Sequence, residues 1–128
     1  MMIDKTQLQM EHEYLATTLA KDGDAIRESL TAEDCHLLHM AIGISGEAGE
    51  LLDAVKKAVI YRQPLDKQNV IEELGDLEFY MEGLRQGLAL TRSRVIAANI
   101  AKLNTRYSNG YSDAAAQLRA DKSLQPKE

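Results

Sequence analysis

Between Thr31 and Gly110 the chain contains a single proline, Pro64, and it separates two long stretches in which apolar residues recur at helical spacing. Proline lacks an amide proton and clashes with the turn before it, so helices end ahead of it. Projected at about 100° per residue, Met40, Ile44, Leu51, Leu52, Val55 and Val59 fall on one arc upstream. Downstream, Val70, Leu74, Leu77, Met81 and Leu84 do the same. A link as short as residues 61–65 makes two such helices antiparallel neighbours. The remaining chain is rich in Ala, Leu, Glu, Lys and Gln, all strong helix formers. The expected fold is therefore an all-α four-helix bundle around a central antiparallel hairpin. Its main helices are placed at about 6–19, 31–61, 66–88 and 91–108, with a break at Lys21-Asp22-Gly23-Asp24. Thr31 followed by Glu33 and Asp34 supplies an N-cap and an acidic first turn. Ser108-Asn109-Gly110 is a left-handed stop signal. Residues 1–110 are expected to form the helical domain. Residues 111–128 read as a tail with a short helix near 114–120 and a frayed polar end at 123–128.

With 128 residues, 45% hydrophobic and 27% charged, the chain has the make-up of one globular domain. A net charge of −5 without a basic block argues against a nucleic-acid partner. The lone Cys35 excludes an internal disulfide, fits a reducing compartment, and is expected to be buried as a small hydrophobe. No run approaches the roughly 18 apolar residues of a membrane span. Asp4, Lys5, Glu11 and Glu13 deny the N-terminus the apolar core of a signal peptide. The expected location is cytoplasmic, away from membranes.

Each limb of the predicted hairpin carries a pair of acids one turn apart, Glu47-x-x-Glu50 and Glu73-x-x-Asp76. Like charges at this spacing repel, and they dislike the edge of a buried stripe. Both pairs lie on the same rotational flank of their apolar arcs, and antiparallel helices bring such flanks together. Matching Glu50 to Glu73 and Glu47 to Asp76 puts the hairpin centre between Tyr61 and Arg62, close to the predicted turn. Four converging carboxylates call for a hard divalent cation, Mg²⁺ first and Mn²⁺ second. Such ions serve phosphate chemistry, in which a carboxylate not saturated by metal takes a proton from water. Glu47 and Glu50 are equal candidates for that base. Gly43, Gly46, Gly49 and Gly75 interrupt the same segments at about 1 kcal/mol each relative to Ala, which admits a close helix or a ligand. Asp53 and Glu72 project elsewhere and read as solvated charges. His36 and His39 read as ordinary polar residues. A di-iron bundle needs two Glu-x-x-His motifs, and only Glu33-x-x-His36 is present.

The segments Gly43-Ile44-Ser45-Gly46-Glu47-Ala48-Gly49-Glu50-Leu51-Leu52-Asp53 and Glu72-Glu73-Leu74-Gly75-Asp76-Leu77, with 22 residues between Glu50 and Glu73, resemble the signature of the MazG-like all-α nucleoside triphosphate pyrophosphohydrolases. The resemblance spans roughly residues 30 to 110. It implies Mg²⁺-dependent hydrolysis of a nucleoside or deoxynucleoside triphosphate to monophosphate and pyrophosphate, a housekeeping task of the nucleotide pool. It makes Glu47, Glu50, Glu73 and Asp76 the metal ligands. It also implies a homo-oligomer, a dimer or a tetramer built as a dimer of dimers, completing the bundle and its site.

On the last main helix Asn99, Lys102 and Arg106 lie opposite Ile96, Ile100, Leu103 and Tyr107. Lysine meets phosphate as a point charge and arginine as a fork. This segment resembles the family's last helix, where such residues contact phosphate. Tyr80, one turn past Asp76, is a candidate to stack on or hydrogen-bond a base or sugar, with a core-edge packing role the equal alternative. The competing reading of the whole chain is a non-catalytic helical interaction protein whose acids form a solvated patch. A phosphohydrolase releasing inorganic phosphate is a third.

Overall fold

A computed structural model describes residues 4–123, and all regular structure among them is helical, with no strand. The helices are α1 (Lys5–Leu19), α2 (Gly23–Ser29), α3 (Ala32–Val59), α4 (Lys67–Gly87), α5 (Arg92–Arg106), α6 (Asp113–Leu118) and α7 (Ala120–Ser123). The all-α expectation holds, and the four long helices stand within a few residues of their expected limits. The expected fraying of 123–128 falls outside the described residues except for Ser123, which closes α7. The chain divides between Cys35 and His36 into two compact units.

In the first unit α2 is an addition that apolar spacing does not announce. Asp22 caps it by accepting from the Ala25 amide at 2.9 Å, and Arg27 pairs with Asp24 at 3.3 Å. Local capping and charge thus make a helix with almost no apolar stripe. The start of α3 is a reciprocal cap. Thr31 Oγ1 accepts from the Asp34 amide at 3.1 Å, and the Asp34 carboxylate accepts from the Thr31 amide at 2.9 Å. That backbone hydrogen bond, aided by the Thr31 hydroxyl, holds the Asp34 carboxyl below its ordinary pKa. Cys35 is exposed, against expectation. It lies about 140° around α3 from Met40, off the apolar arc.

In the second unit α3 and α4 form the antiparallel hairpin. Arg62 reverses the chain in the left-handed region at φ 54°, and the Gln63 amide reaches back to the Lys57 carbonyl at 3.2 Å. Asp66 then caps α4 by accepting from the Asn69 amide at 3.0 Å. The two helices touch in a constant register: Gly43 faces Tyr80, Met40 faces Gly83 and His36 faces Gly87. His36 Nε2 donates to the Gly83 carbonyl at 2.9 Å, which fixes its tautomer. A Cβ on Gly43 would overlap the Tyr80 ring down to its Cγ, the stiff end of that side chain. We therefore expect Gly43→Ala to destabilise the protein by about 1–3 kcal/mol, an overpacking cost, read as a lowered melting temperature.

A Schellman motif ends α4. The Leu90 amide returns to the Arg85 carbonyl at 2.9 Å and the Ala89 amide to Gln86 at 3.2 Å, with Ala89 left-handed at φ 53°. Thr91 then caps α5 through the Arg94 amide at 3.1 Å, and Arg92 reaches back to Glu78 at 3.5 Å. Gly110, at φ 84°, fills the expected stop after α5. Helices α6 and α7 pack against α5.

The apolar arcs are only partly covered. Met40 and Ala54 are the buried hydrophobic residues among those described, whereas Leu52 is 69% exposed, Val59 55% and Leu74 47%. One antiparallel neighbour shields a narrow stripe, and these arcs are wider than that. On α5 the arc of Ile96, Ile100 and Leu103 is likewise exposed. No helix among the described residues is long and apolar enough to cross a membrane.

Candidate active site

The register that pairs Gly43 with Tyr80 carries on toward the turn and sets Glu47 level with Asp76 and Glu50 level with Glu73. Glu47, Glu73 and Asp76 each offer a carboxylate oxygen, and the three oxygens lie within 4.8 Å of one another. Glu47 and Glu73 are half-buried and Asp76 is exposed. Glu50 stands outside this trio, exposed, one turn closer to the hairpin bend. Its charge still reaches Glu73. Partial burial, a hydrogen bond to Glu47, and repulsion from Glu47, Glu50 and Asp76 together push the Glu73 carboxyl above its ordinary pKa.

The neighbouring acids have other partners. Asp53 binds Lys57 at 2.8 Å and Lys56 at 3.3 Å, which lowers its pKa, and Glu72 accepts from Gln68 at 3.3 Å. Gly46, Gly49 and Gly75 face open space, whereas Gly43 is occupied by Tyr80. The Tyr80 ring is wedged at the helix crossing, edge-on to Phe79 with centroids 5.3 Å apart and to His39 at 6.1 Å.

On α5, Asn99 and Lys102 are exposed. Arg106 is not: its Nε donates to Asp121 Oδ1 at 2.8 Å, tying α5 to α7. Between α3, α4 and the start of α5 lies an open apolar pocket of about 310 Å³. Ile44, one turn from Glu47, lines it with Met81, next to Tyr80, and Val95, one turn before Asn99. Asp121 escaped sequence reasoning because nothing local links it to a partner fifteen residues away. Gly83 and Gly87, the seats of Met40 and His36, were findable by extending the acid pairing back along both helices.

The donor set fits a hard cation. It is all oxygen, comes from two helices, and carries a charge surplus expressed in the raised Glu73. The fold and this centre define an all-α hairpin protein with a carboxylate cluster across its two limbs. The family model of the MazG nucleotide pyrophosphohydrolase domain matches residues 36–111, well over half of the chain and beginning with the second unit, and the chain belongs to that family. Membership puts it among the nucleotide pyrophosphohydrolases, hydrolases of acid anhydrides that are typically metal-dependent. Neither the curated proteins nor the solved structures hold a match to it.

Proposed function

We propose that the protein is a Mg²⁺-dependent nucleoside or deoxynucleoside triphosphate pyrophosphohydrolase that releases monophosphate and pyrophosphate. The observation that carries this reading is the convergence of Glu47, Glu73 and Asp76 from both limbs of a MazG hairpin. These three carboxylates hold the ion, with Mn²⁺ an acceptable substitute, and Glu50 completes the acidic cage. When bound, Mg²⁺ neutralises the polyphosphate and lowers the pKa of water at the site. Glu50, less committed than the trio, takes the proton from the attacking water. The Asn99 amide and Lys102 ammonium hold phosphate oxygens. Tyr80 and the apolar pocket beside it flank the base and sugar.

The same reading includes a homo-oligomer, a tetramer built as a dimer of dimers or a dimer. Its support is the exposed apolar surface, with Ile42 at 61%, Leu52 at 69%, Ile71 at 61% and Phe79 at 67%. Isolated soluble chains rarely leave so much large apolar surface in water. A second copy supplies matching arcs. Sedimentation showing a compact, active monomer would remove this part of the proposal.

The deciding experiment incubates the protein with each dNTP and Mg²⁺ and separates the products. Monophosphate with pyrophosphate is the expected pair. Diphosphate with inorganic phosphate would mean a different cleavage, and no turnover across the panel would leave an interaction protein.

Mg²⁺ affinity should rise with pH. The raised Glu73 binds a proton that the ion must displace, so affinity is low below its elevated pKa and climbs as pH passes through it. Calorimetric titration at several pH values should approach one proton released per ion on the acidic side. A pH-independent affinity would exclude Glu73 as a ligand. Without metal the sign for folding is opposite. The group's contribution is fully present below its unfolded pKa and is lost as pH rises through the folded one.

A further inference from the structure

We infer that helices α6 and α7 form a strap in which Asp121 masks Arg106, a guanidinium that a polyphosphate chain recruits by displacing it. The inference rests on the proposed phosphate face of α5. Arg106 lies two turns beyond Asn99 and about 20° from it around the helix axis, so it prolongs the row of Asn99 and Lys102 toward the C-terminus. A triphosphate lying along that row reaches it.

The docked strap is a compromise. The Asp121 side chain is 7% exposed and buried, as Met40 and Ala54 are among the described residues, and its partner Arg106 is half-buried at 16%. A buried charge pair recovers its desolvation cost only when both ends are well satisfied. Here one bond is made, from Nε to Oδ1, and the buried Oδ2 of Asp121 has no hydrogen-bond partner among the described residues. Arginine can offer a carboxylate two parallel bonds, and this pair does not use them. The joint between α6 and α7 is strained as well, with Arg119 left-handed at φ 51°. Helix α7 is a single turn of four residues. A polyphosphate supplies more anionic oxygens than Asp121, and its charge repels that carboxylate once it lies beside Lys102. The strap then lifts, and the freed fork closes on phosphate.

Binding of inorganic tripolyphosphate to the full-length protein, at fixed Mg²⁺, tests this without recourse to turnover. Asp121→Asn should tighten binding roughly tenfold, the scale of one charge-assisted contact. Adding Arg106→Ala to that variant should erase the gain. Asp113→Asn removes the same charge from the same segment without touching Arg106 and should leave affinity unchanged. In the wild type, tripolyphosphate should speed amide exchange in residues 113–123. Unchanged or weaker binding by Asp121→Asn overturns the strap, as does equal tightening by Asp113→Asn. Lys102→Ala separates the two ideas. If it weakens binding while Asp121→Asn does nothing, the strap falls and the phosphate face stands; if neither has an effect, both fall.

Discussion

Replacing Glu50 with Gln is expected to lower pyrophosphate release by roughly 10²–10⁴, the usual contribution of a general base, while the helical signal stays intact. The melting temperature of the metal-free protein should hold or rise. Glu50 is one of the charges that repel Glu73, so neutralising it relieves the cluster. Because Glu50 stands outside the group of three oxygens, the variant should still bind Mg²⁺. Calorimetry for the ion, a melting curve and a pyrophosphate assay together read all three consequences. A wild-type rate would take Glu50 out of the mechanism. Loss of Mg²⁺ binding would instead make it a ligand first.

The second large effect is expected at Lys102. Lys102→Ala should weaken triphosphate binding by roughly 1.5–3 kcal/mol, the range for a hydrogen bond to a charged group, and should appear mainly in KM. Lys102 is exposed on α5 and lies off the apolar arc, so its loss leaves packing alone. The fold therefore provides no other route to a kinetic defect. An unchanged KM would return Lys102 to the role of a solvated cation near a helix end.

Much of this architecture is written locally. Thr31, Asp66 and Thr91 cap the helices they precede, because each places an oxygen where free amides need one. The hairpin register was readable from the acid pairs alone, since antiparallel helices with matched flanks have one sensible alignment. Contacts at Gly43, Gly83 and Gly87 follow that alignment over three further turns. Other features depend on information that spacing does not hold. Whether Glu50 joins Glu47 is a matter of side-chain direction rather than position. The Arg106–Asp121 pair joins residues on different helices through a left-handed joint at Arg119, which carries no glycine to advertise it. Helix α2 rests on caps and charges, so an apolar-periodicity search passes over it. The exposure of Leu52 and Val59 reflects how many neighbours a helix has, a property of the assembly rather than of the stripe.

The constant register of the hairpin has a consequence for how such a chain can change length. One residue inserted in α3 between Glu50 and Val59 would turn everything beyond it by about 100° and slide it about 1.5 Å. The two limbs would then bring their acids to bear on different sides, as a combination lock fails when one wheel is a notch off. The same insertion in the bend around Arg62 falls in residues 61–66, which belong to no helix, and leaves the register of both limbs unchanged. Evolution is thus free to lengthen this protein at the tip of its hairpin and barred from doing so along the shafts.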